Sequence, residues 1–532
     1  MPSEAVNLND KLRSVVKDIP PSIVVFLIAL PLSMGIARAS GMPASLGLIT
    51  AGVGGVIVGF LGGAPLVIAG PSAGLSVLLL EWVVAFRTDQ DPYGIVSIGV
   101  VVILAGAIQT AAGLLKLGTY FRAVSPAVIR GMLAGIGFII VAKQFHVMID
   151  HDIEGSVLYN IVKIPAGVAK AMTTGGERTH YIAASIGVAT LLTIVLWDRF
   201  RPAKLHVFPG ALAGVLVASI AAAWLKLPID YVDVDGSLAS YITLPTLDSL
   251  TKVLEPEIWT AAIALAFVGT AETLLCATAV SRMQQEGGRT DYDRELAAQG
   301  IGNLACGLLG ALPVTGVISR SSANVEAGAK TGASSIMQAI WVFLFAVLFP
   351  GLLELVPESA LAAILIYVGL RLIQVSTPRS IIDFGRSVFV IYLATIIGIV
   401  AIDLLSGIVL GLILSTGALV YSLAHLDIHR VDLDDKIELH LHGAATFVSL
   451  PPLAAAFEEI PPGSELHVCF DELDYVDHAC VDFIAAFESR HEETGGIVIV
   501  EWPALMGRYT RGGIHAARRS IPPLRAGTDE DD

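Results

Sequence analysis

Two charged residues stand inside long apolar runs, where charge is expensive. Arg320 lies in Leu312-Pro313-Val314-Thr315-Gly316-Val317-Ile318-Ser319-Arg320-Ser321-Ser322. Glu272 lies in Phe267-Val268-Gly269-Thr270-Ala271-Glu272-Thr273-Leu274-Leu275-Cys276-Ala277-Thr278. An ionised side chain at membrane depth needs a cavity, a partner or a transported ion. A guanidinium beside a helix start attracts an anion, because first-turn N–H groups and the helix dipole favour negative charge. A carboxylate in such surroundings is protonated, paired with a cation, or turned toward water. Three readings of Glu272 stand: a site for a coupling ion (Na+ or H+), an ion-pair partner of Arg320, and a structural carboxylate held by hydroxyls. Thr270 and Thr273 would serve any of them.

The stretch around Arg320 reads as a breaker followed by a helix start. Pro313 and Gly316 interrupt what precedes them, and the Ser and Thr residues cap exposed N–H groups. A second stretch, Ala64-Pro65-Leu66-Val67-Ile68-Ala69-Gly70-Pro71-Ser72-Ala73-Gly74, has the same character and precedes the apolar run Leu75 to Leu80. Broken, small-residue-rich segments at matching places in two halves point to a site between inverted repeats. The plain alternative is two ordinary helices with Gly/Pro packing faces.

These stretches need membrane helices to hold them, and the composition supplies them. The 532 residues are 54% hydrophobic and only 15% charged, with a mean hydropathy of +0.73. That combination excludes an ordinary soluble enzyme and implies a polytopic membrane protein. The formal net charge of -15 sits largely in the last hundred residues and a few loops, so it does not decide what is carried. No removable signal peptide is expected.

Apolar segments fall near 20-38, 44-61, 71-86, 94-115, 124-149, 180-198, 208-226, 257-281, 292-311, 315-329, 334-355, 357-376, 384-402 and 404-424. Segments three and ten are too short for a full crossing of about 20 residues and suit half-helices. They hold equivalent places in two sets of seven, which favours fourteen segments in a 7+7 inverted repeat over the twelve obtained by fusing the short ones. Residues 1-19 read as a cytoplasmic lead. With that end inside, Lys116, Arg122, Arg199, Arg201, Lys204, Arg282, Arg289, Arg294, Lys330, Arg371, Arg379 and Arg386 all fall in inner loops. Asp89, Asp91, Asp150, Asp152, Glu154, Asp230, Asp233 and Asp235 fall outside, so both termini are expected in the cytoplasm. The stretch 155-179 reads as a loop or a turn or two of surface helix.

From about 432 the texture changes. Lys436 to His442, Glu465 to Phe470 and Gly496 to Val500 read as strands, and Ala479 to Ser489 as a helix, giving a small α/β domain over 432-515. The Arg-, Pro- and Asp-rich tail, 516-532, reads as disordered.

Other reactive residues have plainer explanations. Arg38 and Glu81 lie near segment ends, where snorkelling accounts for both. His146 and His151 flank an outer loop and read as surface residues. His440 and His442 share one side of a strand, with no third ligand evident. Cys276, Cys306, Cys469 and Cys480 lack metal spacing and read as free thiols. No GxGxxG or Walker lysine is present, so neither an enzyme nor a nucleotide site is indicated, and no cofactor or nucleic-acid partner is expected.

The ordered set Pro31-Leu32-Ser33-Met34-Gly35-Ile36-Ala37, Gly70-Pro71-Ser72-Ala73-Gly74, Glu272-Thr273-Leu274-Leu275 and Ser319-Arg320-Ser321 resembles the SulP/SLC26 family of inorganic anion transporters. Asp291-Tyr292-Asp293-Arg294-Glu295-Leu296 with Gln299-Gly300, and Ala327-Gly328-Ala329-Lys330-Thr331, resemble further family signatures. The likeness runs through nearly the whole chain, including a C-terminal STAS domain. It implies a UraA-like transporter domain over 20-425, with a core of segments 1-4 and 8-11 and a gate of segments 5-7 and 12-14. It also implies an anion between the starts of segments 3 and 10, held near Ser72, Ala73, Gly316, Val317, Ile318 and Ser319, with Arg320 setting the potential. In sodium-coupled members an acidic residue at the Glu272 position helps bind Na+, assisted by a threonine one turn on. Glu272, Thr273 and Cys276 occupy that region here, and Cys276 is a poor sodium ligand. Ile318 likewise replaces a hydroxyl, and proton coupling stands beside a rearranged sodium site. His478 holds the place of the phosphorylated serine of anti-sigma factor antagonists, so the STAS domain is expected to dock a cytoplasmic partner or support a homodimer.

The expectation is an elevator-type transporter of a small inorganic anion in a membrane of the bacterial inner type. Bicarbonate comes first, then sulfate by proton-coupled uptake or anion exchange. A non-transporting sensor signalling through STAS is the alternative from another class. A uracil or xanthine carrier would need polar side chains where Val317 and Ile318 stand.

Overall fold

The computed structural model describes residues 15–506 except 90, 92, 121–124, 151–156, 173–177, 203–207, 234–237, 247–250, 285–289, 376–384, 434–435, 471–472 and 504. The 516-532 tail lies outside the described residues. The chain divides into two compact units at Leu412/Ile413.

The first unit is helical. Its first half holds α1 (Ile19–Ala39), α2 (Ala44–Leu61), α3 (Ala73–Phe86), α4 (Ile95–Leu114), α5 (Pro126–Met148), α6 (Arg178–Phe200) and α7 (Gly210–Leu225). The second half holds α8 (Pro256–Met283), α9 (Tyr292–Leu308), α10 (Ile318–Glu326), α11 (Ala333–Leu348), α12 (Glu358–Val375), α13 (Arg386–Ala401) and α14 (Leu404–Ala424), the last running across the division. These occupy the fourteen expected segments. α3 has 14 residues and α10 only 9, so neither half-helix can span a bilayer alone.

Each half-helix is entered through two extended residues, β1 (Ala69–Gly70) and β2 (Thr315–Gly316), which pair antiparallel with Ala69 opposite Gly316. Non-helical backbone at membrane depth must have its polar groups bonded by protein. Here, Asn303 Oδ1 accepts from Val314 N at 2.7 Å and Thr273 Oγ1 from Gly316 N at 2.9 Å. On the other strand, Ser321 Oγ accepts from Ile68 N at 2.8 Å, and Ser335 Oγ donates to Val67 O at 3.1 Å. Glu295 Oε2 takes both Gly63 N and Ala64 N at 2.9 Å.

Packing sorts the helices. α4 packs mainly on α9 and α8, and α5 on α12 and α13. Glycines bring α4 and α9 together: a Cβ on Gly106 would stand 2.6 Å from Leu304 N, and one on Gly307 2.7 Å from Ile103 N. With no hydrophobic drive between helices in lipid, such close backbone approach supplies the attraction. The two sets meet where α1 touches α12 and α7 and where α3 touches α5.

Three local features differ from the sequence expectation. Residues Val157–Met172, within the 155-179 stretch, form a 16-residue helix. α2 contains a π-helical stretch at Thr50–Gly54, with Thr50 Oγ1 lying 2.9 Å from Leu312 O, just before the β2 breaker. The 1-19 lead is already folded at its end: a helix starts at Val15, and buried Asp18 accepts from Lys330 N at 2.7 Å and Thr331 N at 3.0 Å.

Among its described residues the second unit carries five strands: β3 (Leu426–Asp432), β4 (Ile437–Ala445), β5 (Glu465–Cys469), β6 (Leu473–Val476) and β7 (Ile497–Val500). Their order is β3-β4-β5-β7, with β6 also pairing β4. Alternation places Ile437, Leu439 and Leu441 inward against Leu453 and Phe457 of α15 (Leu450–Glu458) and Ile484 of α16 (His478–Glu493). The sequence reading missed β3, β6 and α15, and the sheet begins at Leu426, ahead of 432. Asp477 caps α16, accepting from Cys480 N at 3.0 Å, while exposed His478 pairs with Asp482 at 3.2 Å. Burial pushes the Cys480 thiol up to about 12.

Candidate functional site

The β1–β2 ribbon sets the starts of α3 and α10 beside each other. Ser72 caps α3, its Oγ accepting from Gly74 N at 3.2 Å, and its hydroxyl lies near Glu272. Glu272 Oε2 also accepts from Thr315 Oγ1 at 3.3 Å. A Cβ on Gly74 would overlap Glu272 Oε1, so glycine at 74 is what lets the carboxylate reach the helix start. The carboxylate therefore lies among hydroxyls from both broken stretches.

α10 begins differently. Its N-cap is Val317, which offers no side-chain acceptor. Arg320 is fully buried, with Nη2 donating to Ser33 Oγ at 3.1 Å. Its Nε and Nη1 have no hydrogen-bond partner among the described residues, and Nη1 lies against Gly70, 2.5 Å from where a Cβ would stand. Ser319 beside it is exposed. In this conformation the Arg320 guanidinium is withdrawn from solvent, and Ser319 is the residue that faces open space. Arg320 forms no ion pair with Glu272, which sets aside that reading of the carboxylate.

The structure brings Ser72, Ala73, Glu272, Ser319 and Arg320 to one place and separates others from it. Gly316 N–H is bound to Thr273, and Val317 N–H to Ile68 O at 2.9 Å, so neither is free for an anion. Thr273 thus serves the ribbon. Thr270 Oγ1 lies 3.3 Å from Gln109 Nε2. Cys276 Sγ contacts Ser321 Oγ at 3.3 Å and packs with Ala64, Leu66 and Val67. Ile318 packs against that same apolar cluster, so Cys276 and Ile318 form the back wall.

Sequence reasoning missed the support behind the ribbon. Gln109 Nε2 donates to Ala266 O at 3.1 Å, Asn303 Nδ2 to Gln109 Oε1 at 2.7 Å, and Gln299 Nε2 to Val314 O at 3.4 Å. Three buried amides in apolar helices were the available signal. Among the described residues no three His, Cys, Asp or Glu side chains are placed to hold a metal ion. His146 is buried, with Nδ1 3.0 Å from Ala142 O, rather than on the surface. All four cysteines are free.

Residues 15–395 match the family model described as the sulfate permease family. YvdB of Bacillus subtilis, named as a sulfate transporter, is 27% identical over 411 residues, 76% of this chain and 73% of its own. BicA of Picosynechococcus, named as a bicarbonate transporter, is 25% identical over 439 residues, 80% of this chain and 75% of its own. The fold matches that of the murine solute carrier 26 family member A9 anion transporter in its inward-facing state. That match has a TM-score of 0.74 at 16% identity and covers 96% of this chain and 92% of that one.

Proposed function

We propose that this chain, which belongs to the sulfate permease family of membrane anion transporters, is a secondary active transporter of bicarbonate driven by a sodium or proton gradient. The observation supporting that substrate is the pairing of one guanidinium, Arg320, behind the start of α10 with one carboxylate, Glu272, against the start of α3. With Glu272 ionised the two charges cancel. With Na+ or a proton on Glu272 the site carries one positive charge, which a monoanion matches. A dianion keeps one charge uncompensated in poorly hydrated surroundings, which is costly. Glu272, Ser72 and Thr315 supply the oxygen ligands that a hard cation takes. Ser72, Ala73, Ile318 and Ser319 would hold the anion at the two helix starts.

The loaded set of α1–α4 and α8–α11 then moves as a body against α5–α7 and α12–α14 to open the site on the other side. The C-terminal unit, read as STAS, serves homodimer formation or a cytoplasmic partner. Proton-coupled sulfate uptake is the second reading, favoured by the two unpartnered nitrogens of Arg320 and by the name of YvdB.

The test is uptake of radiolabelled bicarbonate and sulfate into proteoliposomes, with sodium and proton gradients imposed one at a time. Sodium- or proton-driven bicarbonate accumulation is expected. Sulfate accumulation driven by protons would reverse the substrate order, and anion binding without flux would favour a sensor.

A further inference from the structure

The two helix sets touch along two seams, and each carries opposite charges at its outer end. On the first, Gly35 of α1 packs against α12, where a Cβ would stand 3.6 Å from both Leu361 and Leu365. One turn further on, Arg38 forms an ion pair with Glu358, the first residue of α12. Both side chains are partly buried, at 35% and 19% exposure, so the pair is less screened than a surface one. Asp150 after α5 and Asp230 after α7 add their negative charge around Arg38 and Glu358. The α7 connection is tied to the start of α12: Glu358 N donates to Asp230 O at 3.0 Å, and Val232 N to Val356 O at 2.9 Å. One arginine of α1 therefore faces carboxylates at the ends of three helices of the other set.

On the second seam, Gly74 of α3 meets Ile136 of α5, where a Cβ would stand 3.2 Å from Ile136 Cδ1. Two turns beyond each residue, about 10 Å along either helix, come Glu81 on α3 and buried Lys143 on α5, opposite charges near each other across the seam without a direct ion pair, with Asp403, just ahead of α14, adding a like charge toward Glu81. The cation belongs to the α1 side in the first pair and to the α5 side in the second. Sliding one set past the other separates both pairs together, and partly buried charges left alone are costly.

We propose that Arg38 with Glu358, Asp230 and Asp150, together with Lys143 and Glu81, forms a latch that holds the seams closed on the side assigned by loop charge to the exterior. Anion entry from that side requires its release. The inference rests on the alternating-access reading above.

The test uses the full chain in oriented proteoliposomes carrying Ile140→Cys as reporter. Ile140 is buried on α5 between Lys143 and Ile136. A membrane-impermeant thiol reagent is added outside, with the chain lacking the reporter as blank. In Arg38→Gln, Glu358→Gln and Glu81→Gln backgrounds, labelling should accelerate roughly fivefold, the scale of losing one such pair. The exchanged pair Arg38→Glu with Glu358→Arg should return toward the parent rate. Equal rates in every background overturn the latch. As a second measurement, Arg38→Cys with Glu358→Cys, oxidised to a disulfide, should block uptake and recover on reduction. Uptake unaffected by complete cross-linking also overturns it. The labelling readout needs no transported species, so a wrong substrate leaves it intact and the two failures are distinguishable.

Discussion

The starts of α3 and α10 hold equivalent places in the two halves, yet they are built differently. α3 is capped by its own serine, Ser72, and receives a carboxylate made possible by Gly74. α10 has Val317 at its cap, leaves its first turn without a side-chain acceptor, and keeps a buried guanidinium behind it. One helix start is self-satisfied and fitted with a negative group; the other is left short of acceptors and backed by a positive one. On the function proposed above, a duplicated architecture divides the work, with coupling assigned to one end and anion attraction to the other.

The sharpest way to break that division is Arg320→Ala. Anion affinity should fall roughly 10- to 100-fold, the scale of losing one unit charge several ångströms from the anion at an effective dielectric of about 20, while the protein keeps its melting behaviour. Isothermal titration with bicarbonate reads the first and a thermal melt the second; unchanged affinity would remove Arg320 from the site. Glu272→Gln should abolish gradient-driven accumulation while leaving anion exchange, as measured by counterflow. Full retention of sodium and pH dependence would end its coupling role.

The two glycines refine the same contrast. Gly74→Ala pushes on Glu272 and should cost about 1–3 kcal/mol of stability, with gradient dependence lost before affinity. Gly70→Ala pushes on Arg320 and should reverse that order, which paired uptake and binding assays would detect. The smallest effect expected is from Val317→Ser. It gives α10 the cap that α3 already has, adding about 1 kcal/mol of stability and raising the apparent KM a few-fold as the new hydroxyl competes for the first-turn N–H groups.

Much of this was legible in the chain. Apolar run lengths located the fourteen helices, and Glu272 and Arg320 stood out as charges in lipid-like surroundings. The use of each N–H group was not legible. Periodicity assigns faces along a regular helix, but β1 and β2 are two residues each and carry no phase from which to place Val317 or Gly316. Cys276 lies one turn from Glu272, yet its thiol faces Ser321 and the apolar wall. Arg38 at a segment end invites a local explanation by snorkelling, because nothing near it in sequence announces Glu358. Gln109, Gln299 and Asn303 were visible as amides in apolar helices, but that Gln299 and Asn303 bond the Val314 backbone just before β2, with Gln109 bracing Asn303, emerges only once α4 and α9 are packed.

The ribbon also bears on how the protein is made. The backbone between Gly63 and Ile68 is bonded to Glu295, Ser321, Asn324 and Ser335, all more than 230 residues later in the chain. At ribosomal speeds that interval lasts on the order of 10–50 s, during which the first broken stretch is already synthesised while its partners do not yet exist. In that window its polar groups need water or the insertion machinery, and the first half of the chain waits in an unfinished state for the second to complete it.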